Sequence, residues 1–232
     1  MKILITAGPT REPLDPVRFL SNRSSGKMGY ALAAAAAARG HEVTLISGPV
    51  ALPSVVDAAA GRILGKRPEV ASTKNVQIVR VVTAADMLAA VKLHLPKCDA
   101  LIMAAAVADW RPVRVAWRKM KKGGAQRLTL NLKRTPDILK TIRGLKGRRL
   151  FIGFAAETHN LRAEAGRKLR EKKLDLIVAN DVSQPGAGFE ADANQVMLIA
   201  ADGAEQALPL MSKRAVAERI LDWIETRAEY AP

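Results

Sequence analysis

The nine residues SNRSSGKMG, Ser21 to Gly29, place a serine pair, two glycines and a lysine just ahead of an alanine-rich helical pattern. Backbone N–H groups at a helix N-terminus, together with the helix dipole, attract anions, so the stretch suits a phosphate. Ser24 or Ser25 can cap the helix and donate a hydroxyl. Gly26 lets a backbone approach closely, and Lys27 adds charge. Gly8 opens the same loop and joins this candidate phosphate set. The stretch is not a P-loop, because Met28 follows the lysine and the required upstream glycine is missing; G-x-G-x-x-G is absent too. A plainer reading is an N-cap after a surface loop, which needs one serine. Asn22 is a different kind of candidate. An uncharged amide beside an anion site can hydrogen-bond a reacting carbonyl oxygen without quenching its electrophilicity. Its plainer role is a turn residue.

Three other segments end in residues with chemistry. AAAVADWRP runs small residues into Asp109, GFAAET runs them into Glu157 and Thr158, and ANDV carries Asn180 and Asp181. Small residues at strand ends leave room for a flat ligand, though they also pack well against helices. Lys119, Lys121 and Lys122 lie in a basic run closed by Gly123-Gly124. Such a run is a solvated surface, or a lid over several phosphates. Asp109 suits a ribose hydroxyl or a metal-bound phosphate. Lys168 and Lys172 stand four apart on one helical face, within reach of a polyphosphate or simply solvated.

The elements that must carry these residues alternate. KILIT reads as a buried strand, the run Met28–Arg39 as a helix stopped by Gly40, and EVTLIS as a strand. VQIVRVV, DALIMAAAVA, RLFIGFAAE and LDLIVAND are further strands, and RLTLNLK alternates like a half-exposed one. Residues 84–95, TPDILKTIRGL, 159–173 and MSKRAVAERILDWIETRAEY read as helices, with Thr135 as N-cap of the second and Pro136 at its first position. NQVMLIA and EQALPL flank an Asp-Gly turn, which suggests a hairpin. The expectation is a single α/β domain over 1–232, a Rossmann-like three-layer sandwich. Its sheet is mostly parallel and doubly wound, with an edge β-hairpin, a mobile basic flap at about 109–126 and an extended loop region at about 51–76. Ligands then sit beyond the carboxyl ends of the strands.

Lys and Arg number 37 against 22 Asp and Glu, a formal charge of +15. That excess points to nucleic acid, an acidic surface or small polyanionic substrates. Few aromatics and no RNP-like motif argue against base stacking as the main role. The one cysteine, Cys98, excludes a disulfide framework and reads as buried and inert. His41, His94 and His159 are scattered, without metal spacing. No apolar run is long enough to span a bilayer, and a cytoplasmic protein is expected.

TAGPTREPLDPVRFLSNRSSGKMGYALA, AAAVADWRP with KMKK, TPDIL, GFAAET, LDLIVANDVS and LPLMSK occur in this order along almost the whole chain. Together they resemble the phosphopantothenoylcysteine synthetases (phosphopantothenate–cysteine ligases) of coenzyme A biosynthesis, of the bacterial CTP-dependent type. In many bacteria that domain is joined to a flavin-dependent decarboxylase, and this chain looks like the synthetase domain without that half. The resemblance implies magnesium with CTP as co-substrate, 4'-phosphopantothenate and L-cysteine as substrates, no flavin, and a homodimer. The metal ligands stay unassigned. It also implies an acyl-cytidylate intermediate. Both nucleophiles are then substrates, so no catalytic Ser, Cys or His is needed.

By resemblance, Asn22 contacts the reacting carboxylate and acyl intermediate, and Lys119 serves the nucleotide-linked steps from the flap. Met103, Ala104 and Ala105 face the cytosine with their backbone. Asp109, Phe154, Lys168 and Lys172 belong to the nucleotide site, and Pro136, Asp137, Ile138 and Leu139 match an NPDI helix start beside the base. Ser24, Ser25 and Gly26 fall where phosphates are expected. Thr135 replaces the Asn of NPDI, Arg118 makes the flap more basic, and the 51–76 segment is longer than usual. Two other readings stay open. An NAD(P)-dependent reductase would want the glycine fingerprint and a Tyr with Lys four residues on, but Ala34 follows Tyr30 at that spacing. A nucleic-acid-binding protein is motivated by the charge alone.

Overall fold

The computed structural model describes residues 1–52, 75–122, 126–157, 160–181 and 191–229. The segment 53–74, most of the extended loop region, lies outside them, as do Gly123-Gly124, Thr158, His159 and residues 182–190.

Among the described residues one eight-stranded sheet runs through the molecule. Its strands are β1 (Lys2–Ala7), β4 (Glu42–Ser47), β5 (Val76–Arg80), β6 (Ala100–Met103), β9 (Leu150–Glu157), β10 (Leu176–Asp181), β12 (Val196–Ala200) and β13 (Glu205–Ala207). The spatial order is β13-β12-β10-β9-β6-β1-β4-β5. The six strands from β10 to β5 pair in parallel, while β12 and β13 join antiparallel at one edge. The expected hairpin is therefore present, turning through Gly203 at φ 90°. The chain moves outward from β1 to β4 and β5, then returns to β6 on the other side of β1. That reversal opens a crevice between β1 and β6.

Two apolar layers cover the sheet. On one face α1 (Lys27–Ala38) and α5 (Lys213–Glu229) pack together, burying Leu32, Ala33 and Ala36 against Val216, Ile220 and Ile224. Trp223 is partly buried against this layer, as core rather than site. On the other face lie α2 (Ala84–His94), α3 (Ile138–Ile142) and α4 (Leu161–Lys172), with Met87, Val91, Ile142, Phe151 and Leu169. Gly40 ends α1 at φ 83°, where the N–H groups of Gly40 and His41 bond to the Ala37 and Ala36 carbonyls. Thr83 and Asp86 form a reciprocal capping box on α2. Cys98 is buried and donates to the Leu95 carbonyl, and burial pushes its thiol up to about 11, an unreactive state. No described helix is long and apolar enough to cross a membrane.

Several local expectations change. Residues 127–131 are not strand; only β8 (Leu132–Arg134) forms, paired with β7 (Trp110–Pro112). The long loop after β1 holds a small hairpin of β2 (Arg11–Pro13) and β3 (Phe19–Ser21). Thr135 is not the cap of α3. Pro136 biases Thr135 away from helical geometry, and Asp137 takes over, accepting the Lys140 N–H at 3.0 Å.

Helix α1 approaches β1 so closely that a side chain at Gly29 has no room. A Cβ there would lie 2.5 Å from the Ala7 Cβ and 2.9 Å from its Cα. Gly29→Ala is expected to lower unfolding stability by about 1–3 kcal/mol, as overpacking does. Urea denaturation checks this, and an unchanged midpoint would show that the helix shifts freely.

Candidate functional site

A cavity of about 810 Å³ lies at the carboxyl ends of β1, β6, β9 and β10, on the crevice where the strand order reverses. Its floor is the backbone beyond β6. Buried Thr6 accepts the Ala105 N–H at 3.2 Å, and buried Thr10 accepts the Ala108 N–H at 2.9 Å. The Ala106 N–H donates to the Gly8 carbonyl at 2.9 Å. These bonds lace the two chain segments past the end of the sheet and hold Met103, Ala104 and Ala105 on the wall.

One side of the cavity is the loop before α1. Gly26, not a serine, is the N-cap residue of α1, at φ 80° and with no side-chain cap. Ser24 and Ser25 accept from the neighbouring Gly26 and Lys27 N–H groups, at 3.4 and 3.5 Å. The serine cap expected from sequence is thus replaced by a glycine turn, because Gly26 passes over Gly8. A Cβ at Gly26 would meet the Gly8 Cα at 3.3 Å and a Val50 methyl at 2.6 Å. Gly8 supports this turn and does not line the cavity, and neither does Ser25, whereas Ser24, Gly26 and Lys27 do. Asn22 lines it as well, and its Nδ2 donates to the Val107 carbonyl at 3.0 Å, tying the loop to the floor.

The opposite side is built by α3 and α4. Pro136, Asp137, Ile138, Leu139, Phe154, Lys168 and Lys172 all line the cavity, with Asp109 at its rim. Asp137 both caps α3 and pairs with Lys172 at 3.0 Å. Thr135 donates its hydroxyl to the Ala108 carbonyl, and its N–H bonds to the Asp109 carbonyl at 2.9 Å, which fixes the Asp109 backbone. Among the described residues no three His, Cys, Asp or Glu side chains gather as a metal site.

Residues 1–227 match the family described as the DNA/pantothenate metabolism flavoprotein C-terminal domain. The chain belongs to that family. It is 46% identical over 230 residues to the coenzyme A biosynthesis bifunctional protein CoaBC of Escherichia coli (strain K12), covering 98% of this chain and 52% of that protein. To CoaBC of Bacillus subtilis (strain 168) it is 47% identical over 224 residues, covering 96% and 50%. The chain spans about half the length of the curated relatives it matches. Its structure resembles the crystal structure of the C-terminal domain of CoaBC, with a TM-score of 0.77 and 44% identity over 98% of this chain and 95% of that one. It also resembles the DNA/pantothenate metabolism flavoprotein from Streptococcus pneumoniae, at a TM-score of 0.78 and 25% identity over 98% and 99%.

In this DNA/pantothenate metabolism domain Lys119 is not on the cavity wall. It is exposed on the flap. The flap base is tied to the β2–β3 hairpin: the Met120 N–H donates to Asp15 at 3.1 Å, Arg18 donates to the Met120 carbonyl at 2.8 Å, and the Ala116 N–H to the Leu14 carbonyl at 2.9 Å. Sequence reasoning gave no role to several lining residues: Arg23, Trp110, Arg134, Asn194 and Lys213; Asn180, marked at the ANDV strand end, does line the cavity. Arg134 arrives through the β7–β8 pairing, which sets its guanidinium 5.7 Å from the Trp110 ring centre. For Lys213 the one local signal is its place at the start of a helix, in the segment LPLMSK.

Asp15 accepts bonds from the Arg18 side chain and from the Val17, Arg18 and Met120 N–H groups. The Arg18 guanidinium is the main cause, and these bonds together outweigh burial and hold the carboxyl well below the usual carboxylate range. A carboxyl depressed on folding stabilises the protein above its unfolded value, near 3.9, and loses that effect as pH falls. Asp15→Asn is therefore expected to be less stable than the parent at neutral pH, with the gap narrowing below about pH 4. Denaturant titrations across pH check this; a gap constant with pH would remove the charge from the account.

Proposed function

We propose that this chain is a phosphopantothenate–cysteine ligase that uses CTP. The reading is carried by one juxtaposition. The uncapped, lysine-bearing start of α1 and the small-residue end of β6 share a cavity with the Pro136–Leu139 turn and two lysines of α4. Nearly half-identical similarity to the C-terminal half of CoaBC supports the substrate choice.

In this reading the base lies over Met103–Ala105, between the Pro136–Leu139 turn and Phe154, and Asp109 takes the ribose. Lys168 and Lys172 favour the triphosphate, and Ser24, Gly26 and Lys27 hold phosphate at the helix start. A carboxylate oxygen of 4'-phosphopantothenate attacks the α-phosphorus of CTP, and pyrophosphate leaves. The cysteine amine then attacks the acyl carbon, CMP leaves, and the amine proton passes to water. Asn22 lies at the acid's end of the cavity, where an uncharged donor stabilises oxygen charge without repelling it. Lys119 reaches the nucleotide only by movement of the flap about its Asp15–Arg18 anchor. Magnesium fits this site as a companion of the triphosphate, since it binds few carboxylates and mostly phosphate oxygens and water. It would offset phosphate charge there, with Asp109 the carboxylate at the rim. A homodimer belongs to the same reading, with exposed Val113, Val115 and Trp117 of the flap as apolar surface for a partner. So does a cytoplasmic setting.

The test supplies phosphopantothenate, cysteine, magnesium and each nucleoside triphosphate in turn. Mass spectrometry is expected to find the cysteine conjugate, with CMP as the nucleotide product. Folded protein that yields no conjugate with any nucleotide overturns the reading, and AMP in place of CMP overturns the choice of CTP. Asn22→Asp would set a carboxylate against both the substrate acid and the Val107 carbonyl. Its pyrophosphate release is expected to fall at least about a hundredfold. Near-normal release would remove Asn22 from the acyl-forming step.

A further inference from the structure

Two helices begin at the same end of the cavity, and each begins with a lysine. Lys27 is the first residue of α1 and Lys213 the first of α5; neither helix has an acidic residue in its first turn. A lysine at a helix N-terminus opposes the macrodipole, so both positions are electrostatically mismatched unless an anion is near. The β11 (Ala193–Asn194) and β14 (Met211–Ser212) ribbon sets them together. It pairs Asn194 with Met211, and the Lys213 N–H bonds to the Asp192 carbonyl at 3.1 Å.

Lys213 is only 6% exposed. Its ammonium has three donors. Among the described residues it donates to the Ala191 carbonyl and meets no carboxylate at salt-bridge distance. Burial, and next the charge of Lys27, lower its pKa to about 8, with Asp192 offsetting part of this. Beside it Asn194 is 5% exposed, lines the cavity, and has an Oδ1 with no partner among the described residues. Buried polar groups in such a state cost free energy until a ligand or water satisfies them. Asp192 supplies the local anion. Its carboxylate lies 2.6 Å from the Lys27 Nζ, yet its side chain is 90% exposed. An exposed pair of this kind contributes little to stability and is readily exchanged.

We propose that Lys27, Lys213 and Asn194 form a phosphate subsite in which the Asp192 carboxylate stands in for a substrate phosphate and gives way to it on binding. The proposal rests on the ligase reading for the identity of the phosphate, which is either the nucleotide's terminal phosphates or the phosphomonoester of the acid. A phosphate dianion brings more charge and more acceptor oxygens than one carboxylate. It can bond both ammonium groups and, after a half-turn of the Asn194 amide, its NH₂ as well. The exchange makes the empty site less costly to hold and keeps the two lysines pointed inward.

Calorimetric binding of pyrophosphate, CTP and phosphopantothenate to the 232-residue chain tests this without turnover. Lys213→Met is expected to weaken one class of phosphate ligand by roughly tenfold or more, as losing a charge-assisted bond does. Weakening of CTP and pyrophosphate assigns the nucleotide's phosphates, and weakening of phosphopantothenate alone assigns the acid's. Less than a threefold change in all three overturns the subsite. Asp192→Asn touches no core and is expected to tighten the same ligand severalfold, because the competing anion is gone. Unchanged or weaker binding overturns the stand-in role, even if Lys213→Met does not fold. Pyrophosphate binding is read independently of any conjugate, so failure of the ligase reading leaves these results interpretable.

Discussion

Four glycines decide how closely α1 can meet the ends of β1 and β4, and the cavity follows from that contact. A side chain at Gly48 would strike the Pro9 carbonyl oxygen at 1.9 Å, and one at Gly29 would strike Ala7. Gly8 and Gly26 both take positive φ, the region that favours glycine, and lie one above the other. The close contact brings the helix N-terminus down onto the crevice instead of over it. Because α1 is mostly alanine, α5 can then pack against it, and the start of α5 reaches the same crevice. The two lysines meet at the cavity's end because these glycines, Gly26 and Gly29 beside Lys27 and Gly8 and Gly48 elsewhere in the chain, let α1 come close.

Charge is organised differently around the two helices. At the far end of α1, Arg39 is enclosed by Glu218, Asp222 and Glu225 of α5, with His41 also on Glu225. These carboxylates hold the guanidinium firmly charged, outweighing its partial burial. At the cavity end the balance reverses, with the Lys27 and Lys213 ammonium groups beside the exposed Asp192 carboxylate. The α1–α5 pair is thus neutralised at its far end and left cationic where it borders the cavity. The net charge of +15 therefore has a local meaning here that composition cannot give.

The flap joins the same framework at Asp15, Arg18 and Leu14. Asp15 receives bonds from both its own turn and Met120, which ties the β2–β3 hairpin to the flap base. Lys119, one residue before Met120, is exposed beside that anchor. Its place is set by bonds of the segment to Asp15, Arg18 and Leu14.

Alternation, runs and turn residues were enough to read the parallel strands, the order of the helices and the edge hairpin, since each depends on local pattern. They also marked the loop before α1, the β6 end and the two α4 lysines, which do share a cavity. The short β2, β3 and β7 strands were not legible, because three-residue strands carry no period, and of the strand expected over 127–133 only its end forms, as β8. Thr135 and Asp137 both look like caps, and only the backbone turn at Pro136 chooses between them. Lys213 and Asn194 lay beyond sequence reading for a plainer reason. Nothing in a helix-initial lysine says which other helix begins beside it. That is decided by the packing of α5 on α1 and by the β11–β14 pairing, which bring Lys27 to the side of Asp192, 165 residues further along the chain. Residue types alone marked Ser24 to Lys27 as a candidate anion site. Tertiary packing decided how many cations would share it.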